Sequence, residues 1–165
     1  MTRDSEKDAH VDMTANADDS PIARLAPFIG TWNVHARFPD RPEDVVTGRL
    51  VYEWGPGEAF LMQRSEAVPA GFPEAITIVG VDGSREAYLQ HYFDSRGVAR
   101  LYQMRFEDLD WSLLRTTADF TELGFAQRYS GRFSDDLATI RGAWESSGDG
   151  TTWTHDFELT HTRAA

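Results

Sequence analysis

From Gly30 onward the chain alternates apolar and polar residues in short runs about a dozen residues apart, each bounded by Gly, Asp, Ser or Pro. That period of two belongs to strands, not helices. Ten runs are predicted: 30–38, 46–54, 59–67, 75–82, 86–94, 97–106, 110–117, 125–134, 138–146 and 152–163. The last is the clearest, with Trp153, His155, Phe157, Leu159, His161 and Arg163 on one parity and threonines, Asp156 and Glu158 on the other. Asp94-Ser95-Arg96-Gly97, Ser134-Asp135-Asp136 and Ser147-Gly148-Asp149-Gly150 read as hairpin turns. Connections this short allow only sequence neighbours to pair, which gives an up-and-down meander. An even number of strands lets the first and last pair antiparallel and removes both edges. The expected fold is therefore all-β, an up-and-down antiparallel β-barrel in which Trp32 meets Arg163. Ahead of it, Ser20-Pro21 can cap a helical turn through Ile22, Leu25 and Phe28, an N-terminal plug for one end.

The 165 residues suit one domain, 21–165, preceded by an acidic stretch, 1–20, that has almost nothing to bury and reads as a disordered tail. A net charge of −11 opposes binding to nucleic acid or an anionic membrane surface. No apolar run approaches the ~20 residues of a membrane span, and the N-terminus lacks the apolar core of a signal peptide, so a cytoplasmic location is expected. With no cysteine, stability has to come from packing. There is no Gly-x-Ser-x-Gly elbow, no phosphate loop and no metal-type histidine spacing.

Counting parity phases part of the inner wall. On strand 97–106 the bulkier set, Val98, Arg100, Tyr102, Met104 and Phe106, should face inward. An even hairpin loop at 94–97 would bring Leu89, His91 and Phe93 in with them. An even loop at 107–110 would bring in Trp111, Leu113 and Arg115, with Arg115 near Tyr102. For strand 59–67 both phases stay open: Glu58, Arg64 and Glu66 inward, or Ala59, Leu61, Gln63 and Ser65. The choice decides whether protein carboxylates neutralise Arg100 and Arg115. His91, Arg100, Tyr102 and Arg115, with Tyr129, His155 and His161, are the candidate ligand-binding residues.

Leu25-Ala26-Pro27-Phe28-Ile29 ahead of Gly30-Thr31-Trp32, with Arg163 near the end, resembles the plug, Gly-x-Trp signature and closing basic residue of the calycin superfamily of lipocalin-like barrels. Residues 86–163 resemble more closely a bacterial lipocalin-like domain family with no assigned activity. That likeness rests on His91, Phe93-Asp94-Ser95, Arg100, Tyr102, Met104, Trp111, Gly142, Trp144-Glu145, Asp149-Gly150, Trp153, Phe157 and Arg163. The resemblance implies barrel closure by Trp32 and Arg163, where a guanidinium over an indole is worth roughly 0.5–2 kcal/mol.

Three functions remain open on the sequence. The first is binding of a small amphipathic or hydrophobic anion, because an unpaired inward arginine needs an acid, water or ligand, and Arg gives charge-assisted bonds to a carboxylate. The Arg100-x-Tyr102 spacing resembles the head-group clamp of fatty-acid-binding proteins, though it lies on a middle strand and no helical lid follows strand one. The second is haem. Gly30-Thr31-Trp32 and late-strand histidines resemble nitrobindins, whose haem-ligating histidine would correspond to His155 or His161; Asn33-Val34-His35-Ala36-Arg37 replaces their glycine-rich stretch. The third is a small cyclase or isomerase using His91, Tyr102 and Arg100 as base, acid and anion stabiliser. No cofactor is required by the first and third. Outward apolar residues such as Leu101 and Ala143 leave a homodimer open.

Overall fold

A computed structural model describes residues 20–85 and 87–165. The expected acidic tail therefore lies, but for Ser20, outside the described residues. The chain enters through a 3-10 helix, Ala23–Phe28, at the place of the expected helical turn; Pro27 inside it has no N–H for an α-helical ladder. Ten strands follow: β1 (Gly30–Phe38), β2 (Arg41–Trp54), β3 (Leu61–Ala67), β4 (Ala75–Asp82), β5 (Ala87–Asp94), β6 (Ala99–Glu107), β7 (Asp110–Arg115), β8 (Ala126–Phe133), β9 (Thr139–Ser147) and β10 (Thr154–Arg163). Each pairs antiparallel with its sequence neighbour, and β1 pairs with β10 to close the barrel. The period of two is plain in β1, where Trp32, Val34 and Ala36 are buried and Asn33, His35 and Arg37 are exposed.

Closure sets Trp32 opposite Arg163 in the β1–β10 ladder. The guanidinium lies 4.3 Å over the indole and donates to three carbonyls, Ile29 at 2.6 Å, Pro27 at 2.8 Å and Leu137 at 3.3 Å. Trp32 donates in turn to the Phe28 carbonyl at 2.7 Å. One side chain thus ties the entry helix, the first strand and the β8–β9 turn together. Phe28 is fully buried, and the rings of Trp111, Phe106 and Phe133 stand 4.9 to 5.0 Å from it. This end of the barrel is filled by its own aromatic residues.

Two hairpins show how turn chemistry fixes which face a residue takes. Between β6 and β7, Asp108 and Leu109 both have positive φ, as a two-residue type I′ loop requires, and Glu107 pairs with Asp110. That even loop turns Trp111, Leu113 and Arg115 inward as expected, and all three are buried. Between β5 and β6 the connection is odd. Gly97 takes φ +79° after a turn in which its N–H donates to Asp94, so Phe93 pairs with Ala99 across five residues. Every side chain of β5 is thereby reversed from the expectation. Tyr88, Gln90 and Tyr92 face in, and Leu89, His91 and Phe93 face out.

The open phase of β3 is also decided. Trp54 pairs with Leu61 and Tyr52 with Gln63, so Leu61, Gln63 and Ser65 share the inner face. Glu58 is exposed, and Glu66 and Arg64 form surface ion pairs with Arg49 and Glu53. Neither glutamate reaches the interior arginines. In β10 the ladder slips: His155 pairs with Glu145 and Phe157 with Trp144, leaving Asp156 as an extra residue. Below this bulge Phe157, Leu159, His161 and Arg163 keep their expected inward parity, but above it His155 is exposed on the outer wall. Trp153 likewise lies outside, with Arg128 stacked 4.4 Å over its ring. Among the described residues no helix is long and apolar enough to cross a membrane.

Candidate functional site

The barrel interior divides in two. Away from the Trp32–Arg163 closure lies a cavity of about 720 Å³, within the range of small-molecule sites. Its walls come from β1, β2, β5, β6, β8, β9 and β10, and its mouth from Phe72 and Pro73 before β4, Arg96 in the β5–β6 turn, and Phe125 before β8. Phe38, Tyr92, Tyr102, Trp144 and Phe157 make it largely aromatic. Trp144 forms the floor, with Tyr102 5.5 Å away on the cavity side and Tyr129 5.4 Å away toward the filled end.

Arg100 and Tyr102 both face this space from β6. They share an acceptor, the Oε1 of Gln127, which takes one hydrogen bond from the Arg100 guanidinium and one from the Tyr102 hydroxyl at 2.9 Å. Arg100 also lies 5.3 Å over the ring of Phe125. Among the described residues it has no ion-pair partner. Burial pushes the Tyr102 phenol up from its ordinary value, and the neighbouring Arg100 pulls the other way; the hydroxyl stays protonated and donates. Next to them Gln90, 8% exposed, lines the cavity with a carboxamide that has no hydrogen-bond partner among the described residues. Its amide opens onto the cavity and offers a hydrogen-bond donor and acceptor to a polar guest or water there.

Arg115 differs from Arg100. Its guanidinium is held by Asp119 and by the Phe125 carbonyl at 3.1 Å, and it does not line the cavity. Asp119 sits in the connection between β7 and β8, four residues beyond Arg115, where strand parity gives no guide. The Arg115 hydrogen bond outweighs burial and holds the Asp119 carboxyl well below the usual carboxylate range. Gln127 was missed for a different reason. It pairs with Arg115 in the β7–β8 ladder, so carrying the parity count one hairpin further would have found it.

At the rim, Asp94 is buried among donors. Burial pushes its carboxyl up, but hydrogen bonds from the side chains of Arg96 and Tyr92 and from two backbone N–H groups outweigh that and hold it down to about 2. Arg96, although it lines the mouth, is thereby committed to Asp94 at 2.6 Å.

The histidines lie elsewhere. His91 is on the outer face, its ring 6.4 Å from that of Phe120, so the base expected beside Tyr102 and Arg100 is separated from them by the barrel wall. His155 is outside because of the bulge. His161 is 1% exposed, packed between the rings of Trp32 at 6.4 Å and Trp111 at 5.9 Å in the filled half. Burial pushes its imidazole down to about 4, so it is neutral at physiological pH. Among the described residues no histidine lines the cavity, so neither His155 nor His161 is placed there as a haem ligand. Tyr129 is also in the filled half; its hydroxyl lies over Gly131 and Gly142, where no Cβ would fit, and it has no hydrogen-bond partner. Among the described residues no three His, Cys, Asp or Glu side chains gather as a metal site.

The fold has a counterpart among solved structures. Rv2717c from M. tuberculosis superposes with a TM-score of 0.59 over 88% of this chain and 98% of that one, at 16% identity. At that identity the likeness speaks to the shared barrel alone. No protein-family model matches the chain, and no curated protein matches it in sequence.

Proposed function

We propose that this barrel binds a small amphipathic anion in its open-end cavity, with a carboxylate or phenolate at Arg100 and the apolar body against the aromatic walls. The observation that carries this reading is Arg100 itself, a partly buried guanidinium in an apolar-walled cavity without a carboxylate partner. A half-buried guanidinium met only by a neutral amide has donors left for an anion, and arginine gives a carboxylate charge-assisted hydrogen bonds. Gln127 and Tyr102 hold the guanidinium in place before a ligand arrives, which lowers the ordering cost of binding. The contrast with Arg115 and Arg96, each already held by an aspartate, singles Arg100 out. The resemblance to lipocalin-like barrels supports the same conclusion, and the placement of His91 outside the wall argues against the isomerase alternative.

The test is titration with a dansyl-labelled medium-chain fatty acid, whose fluorescence reports entry into the cavity. The wild-type protein should bind it, and Arg100→Ala should weaken binding at least tenfold while the urea midpoint changes little. Equal binding by a folded Arg100→Ala variant would dismiss the reading.

A further inference from the structure

The bulge in β10 does more than expel His155. Thr154 pairs with Ser146, which lines the cavity, so the inward parity above the bulge is Thr154 and Asp156. Below the bulge the inward parity is Phe157, Leu159 and His161. Asp156 and Phe157 are therefore consecutive residues turned to the same side, and both line the cavity. In a regular ladder Asp156 would face solvent with Glu158, as its place in the alternation suggests. Bulges commonly re-aim a side chain beside a binding site, and here the side chain is an acid.

Asp156 is without a hydrogen-bond or ion-pair partner among the described residues. It lies on a different wall of the cavity from Arg100. Strands β7, β8 and β9 separate β10 from β6, a path on the order of 19 Å around the wall at ~4.8 Å per strand, and the two side chains form no ion pair. Between these two charges run Trp144 and Phe157, with Phe38 5.3 Å from Phe157 beyond them. An apolar cavity with opposite charges on nearly opposite walls is complementary to a molecule that carries opposite polarity at its two ends.

We propose that Asp156 is a second recognition point, which takes an amine or another strong hydrogen-bond donor at the end of the ligand remote from its anion. This rests on the anion reading of Arg100 and deepens it: the preferred ligand class is a two-headed amphipathic molecule, anionic at one end and cationic or donor-bearing at the other. Asp156 then discriminates against plain fatty acids, whose apolar ends leave the carboxylate facing them unsatisfied.

Displacement of the dansyl probe by matched pairs tests this: octanoate against 8-aminooctanoate, and dodecanoate against 12-aminododecanoate. The wild-type protein should prefer at least one amino acid of the series over its plain partner. Asp156→Asn, which keeps the shape of the side chain, should weaken that amino acid about tenfold and leave the plain carboxylate unweakened or bound more tightly. If Asp156→Asn shifts neither ligand, or shifts both equally, the second recognition point is wrong while the Arg100 reading stands. Arg100→Ala should weaken both members of each pair; if it weakens neither, the anion reading itself has failed.

Discussion

The Arg115 guanidinium grips the Asp119 carboxylate at two points, Nε to Oδ2 at 2.6 Å and Nη2 to Oδ1 at 3.0 Å, and both side chains are almost wholly buried. Oδ2 also accepts the Leu101 N–H at 2.9 Å, just past the point where the β6–β7 ladder ends. The pair thus stitches the β7–β8 connection to the wall and takes one of the two inner arginines out of play. Arg100 is left as the cation available to a guest.

Removing one member of that pair strands the other. Asp119→Ala or Arg115→Met should each lower unfolding free energy by about 3–5 kcal/mol in urea titrations. The double change to apolar residues should cost clearly less than the two together, because no buried charge is then left alone. Additive losses would mean that the two groups do not act as a pair.

At the closed end, Arg163→Ala removes the donor to three carbonyls and the cation over Trp32, and about 2–4 kcal/mol should be lost. Gly30→Ala should be costly as well. Gly30 has φ +126°, and its added Cβ would sit 2.8 Å from the Arg163 guanidinium. Tryptophan fluorescence during urea unfolding reads both changes.

Tyr129 and Gly142 should respond in opposite directions. A Cβ at Gly142 would meet the Tyr129 hydroxyl and, at 2.6 Å, the backbone carbonyl of Ser130, so Gly142→Ala should cost about 1–3 kcal/mol. The Tyr129 oxygen has no partner, so Tyr129→Phe should be neutral or stabilising. Binding of the dansyl probe should be unchanged in Tyr129→Phe, since Tyr129 lies below the cavity floor.

Acid should act in two stages. His161 is neutral when buried, with a pKa near 4, against about 6.5 in the unfolded chain, so the unfolded state binds more protons in between. Stability therefore falls as pH drops from about 6.5 to 4, by about 3 kcal/mol once complete. Asp94 acts in the same direction at lower pH: its carboxyl is held down to about 2, and its contribution is lost only as pH falls below the ordinary carboxylate value toward 2. In thermal melts across pH, His161→Gln should flatten the first stage and leave the second.

Alternation along the chain was enough to reveal ten strands, their neighbours, the closure and the Trp32–Arg163 contact, because a half-buried sheet imposes its period on every strand. What escaped were the places where one residue changes the count. Gly97 in the left-handed region makes the β5–β6 loop odd, and His91 goes outside with it. The extra Asp156 in β10 does the same to His155. Asp119 escaped because a loop residue that reaches back to a strand follows no period. The candidate site was therefore partly legible: Arg100 and Tyr102 lie on a strand whose bulk alone declared its face, and Gln127 follows from the same count, whereas Gln90 and Asp156 depend on a turn and a bulge.

The central claim is that Arg100 selects an anion, and calorimetric titration of octanoate against 1-octanol tests it most directly, since the two share an apolar body and differ at the head. The wild-type protein should bind the carboxylate at least tenfold more tightly than the alcohol, and Arg100→Gln should erase the difference. Equal affinity of the wild-type protein for both, or a preference that survives Arg100→Gln, would contradict the account.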